Sequence, residues 1–197
     1  MGNNTLFTID WEPWFCHIPY CSFWEENDLL VKEPTYYLLD LLQRHKVKAI
    51  FYALGWLAER QSDLLQEIKK EGHLIGFHTF YHSKEEADYG NLLRKIEGHS
   101  YKEPFRPPKF RGQKRLYSGG FWFRAMPYWW SKNELRKSGT FYLHPYDILW
   151  EHPKCFNPFQ EFKRQIGLNT VRDKLERLLR EVEFTDASVI YKPTVSR

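Results

Sequence analysis

The residues able to do chemistry stand just behind short apolar runs. Asp10 and Glu12 flank Trp11 directly after the β-rich run 5–9. His78 and His82 follow a second such run, 73–77, and His144 follows a third, 140–143. Arg106 opens a proline-rich stretch. In parallel α/β sheets and barrels the carboxyl ends of the strands face one crevice, where ligands bind. Strand ends carrying these residues would therefore bring two acids, imidazoles and a guanidinium together. The spacing His78-x-x-x-His82 puts two imidazoles on one side of a helical turn, where they can share a metal. A carboxylate from Asp10 or Glu12 would complete a set of two histidines and one acid with positions left open. Such a set suits Zn²⁺, Fe²⁺ or another divalent ion, which would acidify a bound water. Taken alone an HxxxH pair is an ordinary surface feature; the acids at a neighbouring strand end give it weight.

The elements that must position these groups read as an alternation. A helix is expected from near Pro34 to His45, with Tyr37, Leu38, Leu41 and Leu42 on one stripe. A buried strand is expected over 48–54, then helices over 55–60 and 62–71, with Ser62 as N-cap and Gly72 as the stop. Residues 84–97 read as a charged helix. The stretch 103–130 carries Pro104, Pro107, Pro108, Pro127, Gly112, Gly119 and Gly120, and reads as loop. Two closing helices are expected over 156–167 and 169–183. This pattern indicates an α/β class with a mainly parallel sheet, in a single domain spanning 1–197.

Composition narrows the function. Hydrophobic residues make up 42% and charged residues 27% of 197, which suits a packed core and excludes disorder as the main state. The aromatic share is 18%; most of it must fill the core, but a surplus suits a pocket for sugars. Twenty-nine basic against 25 acidic residues leave only +4, mixed along the chain, so no nucleic-acid partner is expected. The basic run Lys109, Arg111, Lys114 and Arg115 is too short to reverse that. The longest apolar run, 49–58, falls short of the roughly 18 residues of a membrane span. The start, Met1-Gly2-Asn3-Asn4-Thr5, has neither a basic region nor an apolar signal segment, so a cytoplasmic location is expected. Cys16, Cys21 and Cys155 cannot all pair, and reduced, packed thiols are expected.

In sequence order, Thr8-Ile-Asp10-Trp-Glu12, His78-Thr-Phe-Tyr-His82, Phe105-Arg106-Pro-Pro108 and Leu143-His144-Pro-Tyr-Asp147 resemble successive motifs of the polysaccharide deacetylases, the NodB-homology domain of carbohydrate esterase family 4. The tail from Phe141 to Phe184 resembles the branch whose last motif reads Leu-His-Pro-Trp/Tyr. The resemblance implies a distorted (β/α) barrel and metal-dependent removal of acetyl groups from N-acetylated sugars or polysaccharides. It implies Asp10 as catalytic base and Arg106 as the group holding it. It implies His144 as general acid and His78, His82 and Glu12 as ligands of a divalent metal, zinc first among candidates. Trp11, Tyr146 and Trp122 are the expected substrate contacts. The tandem Asp-Asp of the family is replaced by Asp10-Trp11-Glu12, which leaves Asp10 as an alternative third ligand. Only 111–118 bridge a gap that is long in relatives, so an incomplete barrel is expected. Two further readings remain: an amidohydrolase for small cyclic or N-acyl compounds, and a degenerate carbohydrate-binding module without turnover.

Overall fold

The computed structural model describes residues 5–17, 26–81, 117–149 and 158–190. Among these residues four parallel strands form one sheet: β1 (Leu6–Trp11), β2 (Ile50–Ala53), β3 (Leu74–Phe77) and β4 (Thr140–Leu143), in the order β3-β2-β1-β4. The chain first builds outward from β1 through β2 to β3, then returns to the other side of β1 with β4. The order therefore reverses between β1 and β4, where an open parallel sheet leaves a crevice at its carboxyl edge. Register pairs Asp10 with Tyr52, and Ile9 with Leu143, so the acids of β1 and the residue after Leu143 share that edge.

The central strands are apolar on both faces because helices cover both. Phe7, Ile9, Ile50, Phe51 and Phe141 are all fully buried. Helix α1 (Lys32–Arg44) buries Leu38, Leu39, Leu41 and Leu42. Helices α2 (Gly55–Arg60) and α3 (Ser62–Lys70) follow β2, and α3 contributes Leu64, Leu65 and Ile68. After β3 the described chain resumes at Tyr117 with α4 (Gly120–Ala125) and α5 (Tyr128–Ser138). Helices α6 (Pro158–Gln165), α7 (Leu168–Glu181) and α8 (Ala187–Ile190) close it. Phe123 of α4 packs edge-on against Phe141 at 4.8 Å, joining the later helices to the sheet. No helix among the described residues is long and apolar enough to cross a membrane.

Two expectations give way. The stretch 103–130 is not loop throughout, since α4 and the start of α5 lie in it. Among its described residues, Gly119 and Pro127 stand at the N-caps of helices instead of breaking them. Pro127 stands at the N-cap of α5, where a helix needs no proline N–H. Gly119 lets α4 start against β4, because a Cβ there would lie 1.7 Å from the Tyr142 carbonyl oxygen. Ser62 is the first residue of α3 but provides no side-chain cap. The expected helix 84–97 lies outside the described residues.

Candidate active site

Four side chains meet at the carboxyl edge. Asp10 lies near the end of β1 and Glu12 just beyond it, while His78 and His144 are the first residues past β3 and β4. The His78 N–H still donates to the Ala53 carbonyl at 3.0 Å, which fixes its backbone as an extension of the sheet. The next residue, Thr79, has φ +77°, and its carbonyl accepts from the Gly55 N–H at 2.9 Å. The chain thus turns back over the start of α2, and His78 owes its place to the strand end. The helical turn expected from the HxxxH spacing is not what residues 78–81 form.

Glu12 is 1% exposed and joins the two histidines. Its Oε2 lies 3.3 Å from His78 Nε2, and its Oε1 lies 3.6 Å from His144 Nε2. Asp10 Oδ2 stands 3.7 Å from the same His144 nitrogen. The far side of that imidazole is held more tightly. Asp147 Oδ2 lies 2.8 Å from His144 Nδ1 and accepts the His144 backbone N–H at 2.9 Å, so one carboxylate oxygen both caps the turn Pro145–Ile148 and orients the ring. Tyr146 stacks on the imidazole, with centroids 4.5 Å apart and planes 9° from parallel, and Tyr142 meets it edge-on at 5.8 Å.

Behind Asp147 stands Arg124, which the sequence reading missed. Its Nε donates to Asp147 Oδ1 at 2.9 Å, and the two side chains are 4% and 2% exposed. A sequence signal existed: Arg124 is the sole charged residue from Leu116 to Ser131, within an aromatic run that must pack. A buried charge in such a run requires a partner.

The charges set the protonation states. Burial raises the Asp147 carboxyl, but His144 and Arg124 outweigh it and hold the group well below the usual carboxylate range. Asp147 is therefore an acceptor only, and the proton between it and His144 sits on Nδ1. Burial would lower His144; Asp147, with Glu12 and Asp10 behind it, instead raises it to about 9. Burial would lower His78, but its hydrogen bond to the Glu12 carboxylate, with the charges of Asp10 and Glu12, outweighs that and raises it. Cys16, buried beside Glu12, is pushed up by burial first and by Glu12 second, and is an inert thiol.

The donor chemistry fits a divalent metal. A tetrahedral site with bonds of about 2.0–2.2 Å has ligand–ligand edges of about 3.3–3.6 Å. The Glu12–His78 separation of 3.3 Å falls in that range. Among the described residues no group of three His, Cys, Asp or Glu side chains is gathered to hold a metal by itself. The expected further ligand, His82, lies outside the described residues, as does Arg106. Trp11, expected at the substrate, is fully buried in the core, and its Nε1–H donates to Thr35 Oγ1 at 2.9 Å. The reason is strand alternation: β1 points Asp10 to the opening and Trp11 into α1. Trp122 sits on α4 in a cluster with Tyr117 and Trp130, at 5.2 and 6.0 Å.

Residues 26–109 match the family model for polysaccharide deacetylases, and residues 86–192 match one described as a domain of unknown function (DUF3473). The chain belongs to the DUF3473 family, whose model covers more than half of it. The polysaccharide deacetylase model covers less than half of the chain. It is 30% identical over 135 residues to the peptidoglycan-N-acetylmuramic acid deacetylase of Bacillus subtilis, covering 59% of this chain and 50% of that one. It is 38% identical over 87 residues to a peptidoglycan-N-acetylglucosamine deacetylase of Bacillus cereus, covering 39% and 41%. The chain thus spans half or less of the length of these relatives. A solved peptidoglycan N-acetylglucosamine deacetylase superposes with a TM-score of 0.51 over 99% of this chain and 91% of that chain, at 18% identity. That likeness shows the fold alone.

Proposed function

We propose that this chain is a metal-dependent hydrolase of the polysaccharide deacetylase type that removes N-acetyl groups from a sugar or polysaccharide. The observation that carries this reading is the convergence of Asp10, Glu12, His78 and His144 on one edge, with His144 Nε2 turned to the two acids and its Nδ1 fixed by Asp147. The named activities of the Bacillus relatives agree with it.

Glu12, His78 and His82 would hold the metal, zinc first among candidates, which when bound would polarise the acetyl carbonyl and acidify water. Asp10, the more exposed of the two acids, takes the proton from the attacking water. His144 then protonates the amine nitrogen, which leaves badly as an anion. With its value near 9 it enters the reaction charged at neutral pH. Asp147 keeps the proton of Nδ1 in place, so only Nε2 exchanges protons with the reaction. Tyr146 presents a flat ring beside the imidazole, suited to the face of a sugar.

The test is acetate release from N-acetylated oligosaccharides and peptidoglycan fragments, before and after treatment with a chelator. Release that stops on chelation and returns with zinc supports the proposal. Binding of the glycan without acetate release would favour the carbohydrate-binding reading, and release only from small amides would favour the amidohydrolase.

A further inference from the structure

The contacts of Arg124 reach further than Asp147. Its Nη1 donates to the carbonyls of Arg164 at 2.6 Å and Ile166 at 2.9 Å, where α6 ends and turns into α7. That turn is pressed onto Arg124 itself. Gly167 has φ +72°, and a Cβ there would lie 2.1 Å from the Arg124 carbonyl oxygen. Lys174 of α7 donates to the same Arg124 carbonyl at 2.9 Å, which closes the end of α4. One guanidinium thus spans the last carbonyls of one helix and the carboxylate that orients His144. The division of labour on Asp147 is strict: Oδ1 takes Arg124 and Oδ2 takes His144 twice. With Oδ1 released, the carboxylate is free to turn about its Cβ–Cγ bond, and the imidazole loses its fixed direction.

We infer that Arg124 is a positioning residue for the reaction: acting through Asp147, it fixes the direction of His144 Nε2 by anchoring the carboxylate to the α6–α7 turn. The inference rests on the N-deacetylase reading above for its consequence, but not for its geometry. An Arg is suited here and Lys is not, because the planar fork serves a carboxylate and two carbonyls at once, whereas an ammonium on a flexible stem cannot hold all three in one plane.

The variants are Arg124→Lys and Arg124→Ala, the second with and without millimolar guanidinium. Two readouts separate positioning from mere support. The first is nitrogen-15 NMR of the His144 ring, which needs no activity. Recorded above the pH at which the ring loses its charge, it should show the remaining proton held on Nδ1 in the wild type and averaged between ring nitrogens in a folded variant. The second is the ratio of turnover on an N-acetyl sugar to turnover on an activated acetyl ester, whose leaving group needs no proton. That ratio should fall at least tenfold, with KM unchanged and partial recovery in guanidinium. Folded variants with an unaltered His144 ring signature and ratio would overturn the inference. Loss of fold in both variants would make Arg124 a structural anchor only and overturn it as well. A wild type inactive on every amide, with the ring signature still dependent on Arg124, would sink the proposed function while the positioning role stands.

Discussion

Replacing Asp147 by Asn keeps the shape of the side chain and removes its charge. The oxygen side of the amide can still serve either Arg124 or His144, but its NH₂ then faces the other partner, donor against donor. If it faces Arg124, a guanidinium 4% exposed is left without its counter-charge. Breaking a buried pair by removing one partner costs about 3–5 kcal/mol. Arg124 keeps the Arg164 and Ile166 carbonyls at 2.6 and 2.9 Å, which places the cost at the lower end, about 3 kcal/mol. For a chain of this size that lowers Tm by about 6–12 °C. Urea unfolding followed by tryptophan fluorescence measures it directly. The double variant with Arg124→Met should recover part of the loss, since neither charge is then orphaned. A drop below about 1 kcal/mol, or strictly additive losses in the two single variants, would refute the buried pair.

Three further outcomes are expected. His73 is buried, accepts the Ala49 N–H at 3.1 Å through Nδ1, and is lowered from 6.5 to about 4 by burial and then by Lys48. The unfolded chain therefore takes the proton first, and stability should fall by about 3 kcal/mol as pH drops from about 6.5 to about 4; denaturant unfolding across that range checks it, and His73→Asn should flatten the curve. Gly119→Ala would put a Cβ 1.7 Å from the Tyr142 carbonyl oxygen, and should either prevent folding or lower Tm by about 6–12 °C, on the order of a 3 kcal/mol loss, in a thermal melt. His144→Ala should keep the fold while turnover on an N-acetyl sugar falls by about 10²–10⁴, with a smaller loss on an activated ester; equal losses on both would remove the general-acid role.

What was legible in the sequence was local. β4 is found at 140–143 as expected because a short β-rich run met a proline two residues past its end, and β1, β2 and β3 differ from expectation only at their ends. The gathering of Asp10, Glu12, His78 and His144 was legible because a parallel sheet collects its carboxyl ends whatever the side chains are. The link from Arg124 to Asp147 was not, since it joins residues far apart in sequence through a helix that the glycines and Pro127 seemed to forbid. Trp11 misled for the opposite reason: it sits between two functional acids, and strand alternation sends it to the other face. His78 was assigned to the edge by the strand it follows, whereas the helical turn expected from the HxxxH spacing is replaced by the positive φ of Thr79.

The proposed metal site is tested most directly by the metal content of purified protein, read by mass spectrometry after dialysis against zinc and then against buffer alone. Wild type should retain zinc in stoichiometric amount, and the variant carrying both Glu12→Gln and His78→Ala should lose it while remaining folded. Retention of stoichiometric zinc by that variant, or none by the wild type, would contradict the assignment of this crevice as the hydrolytic site.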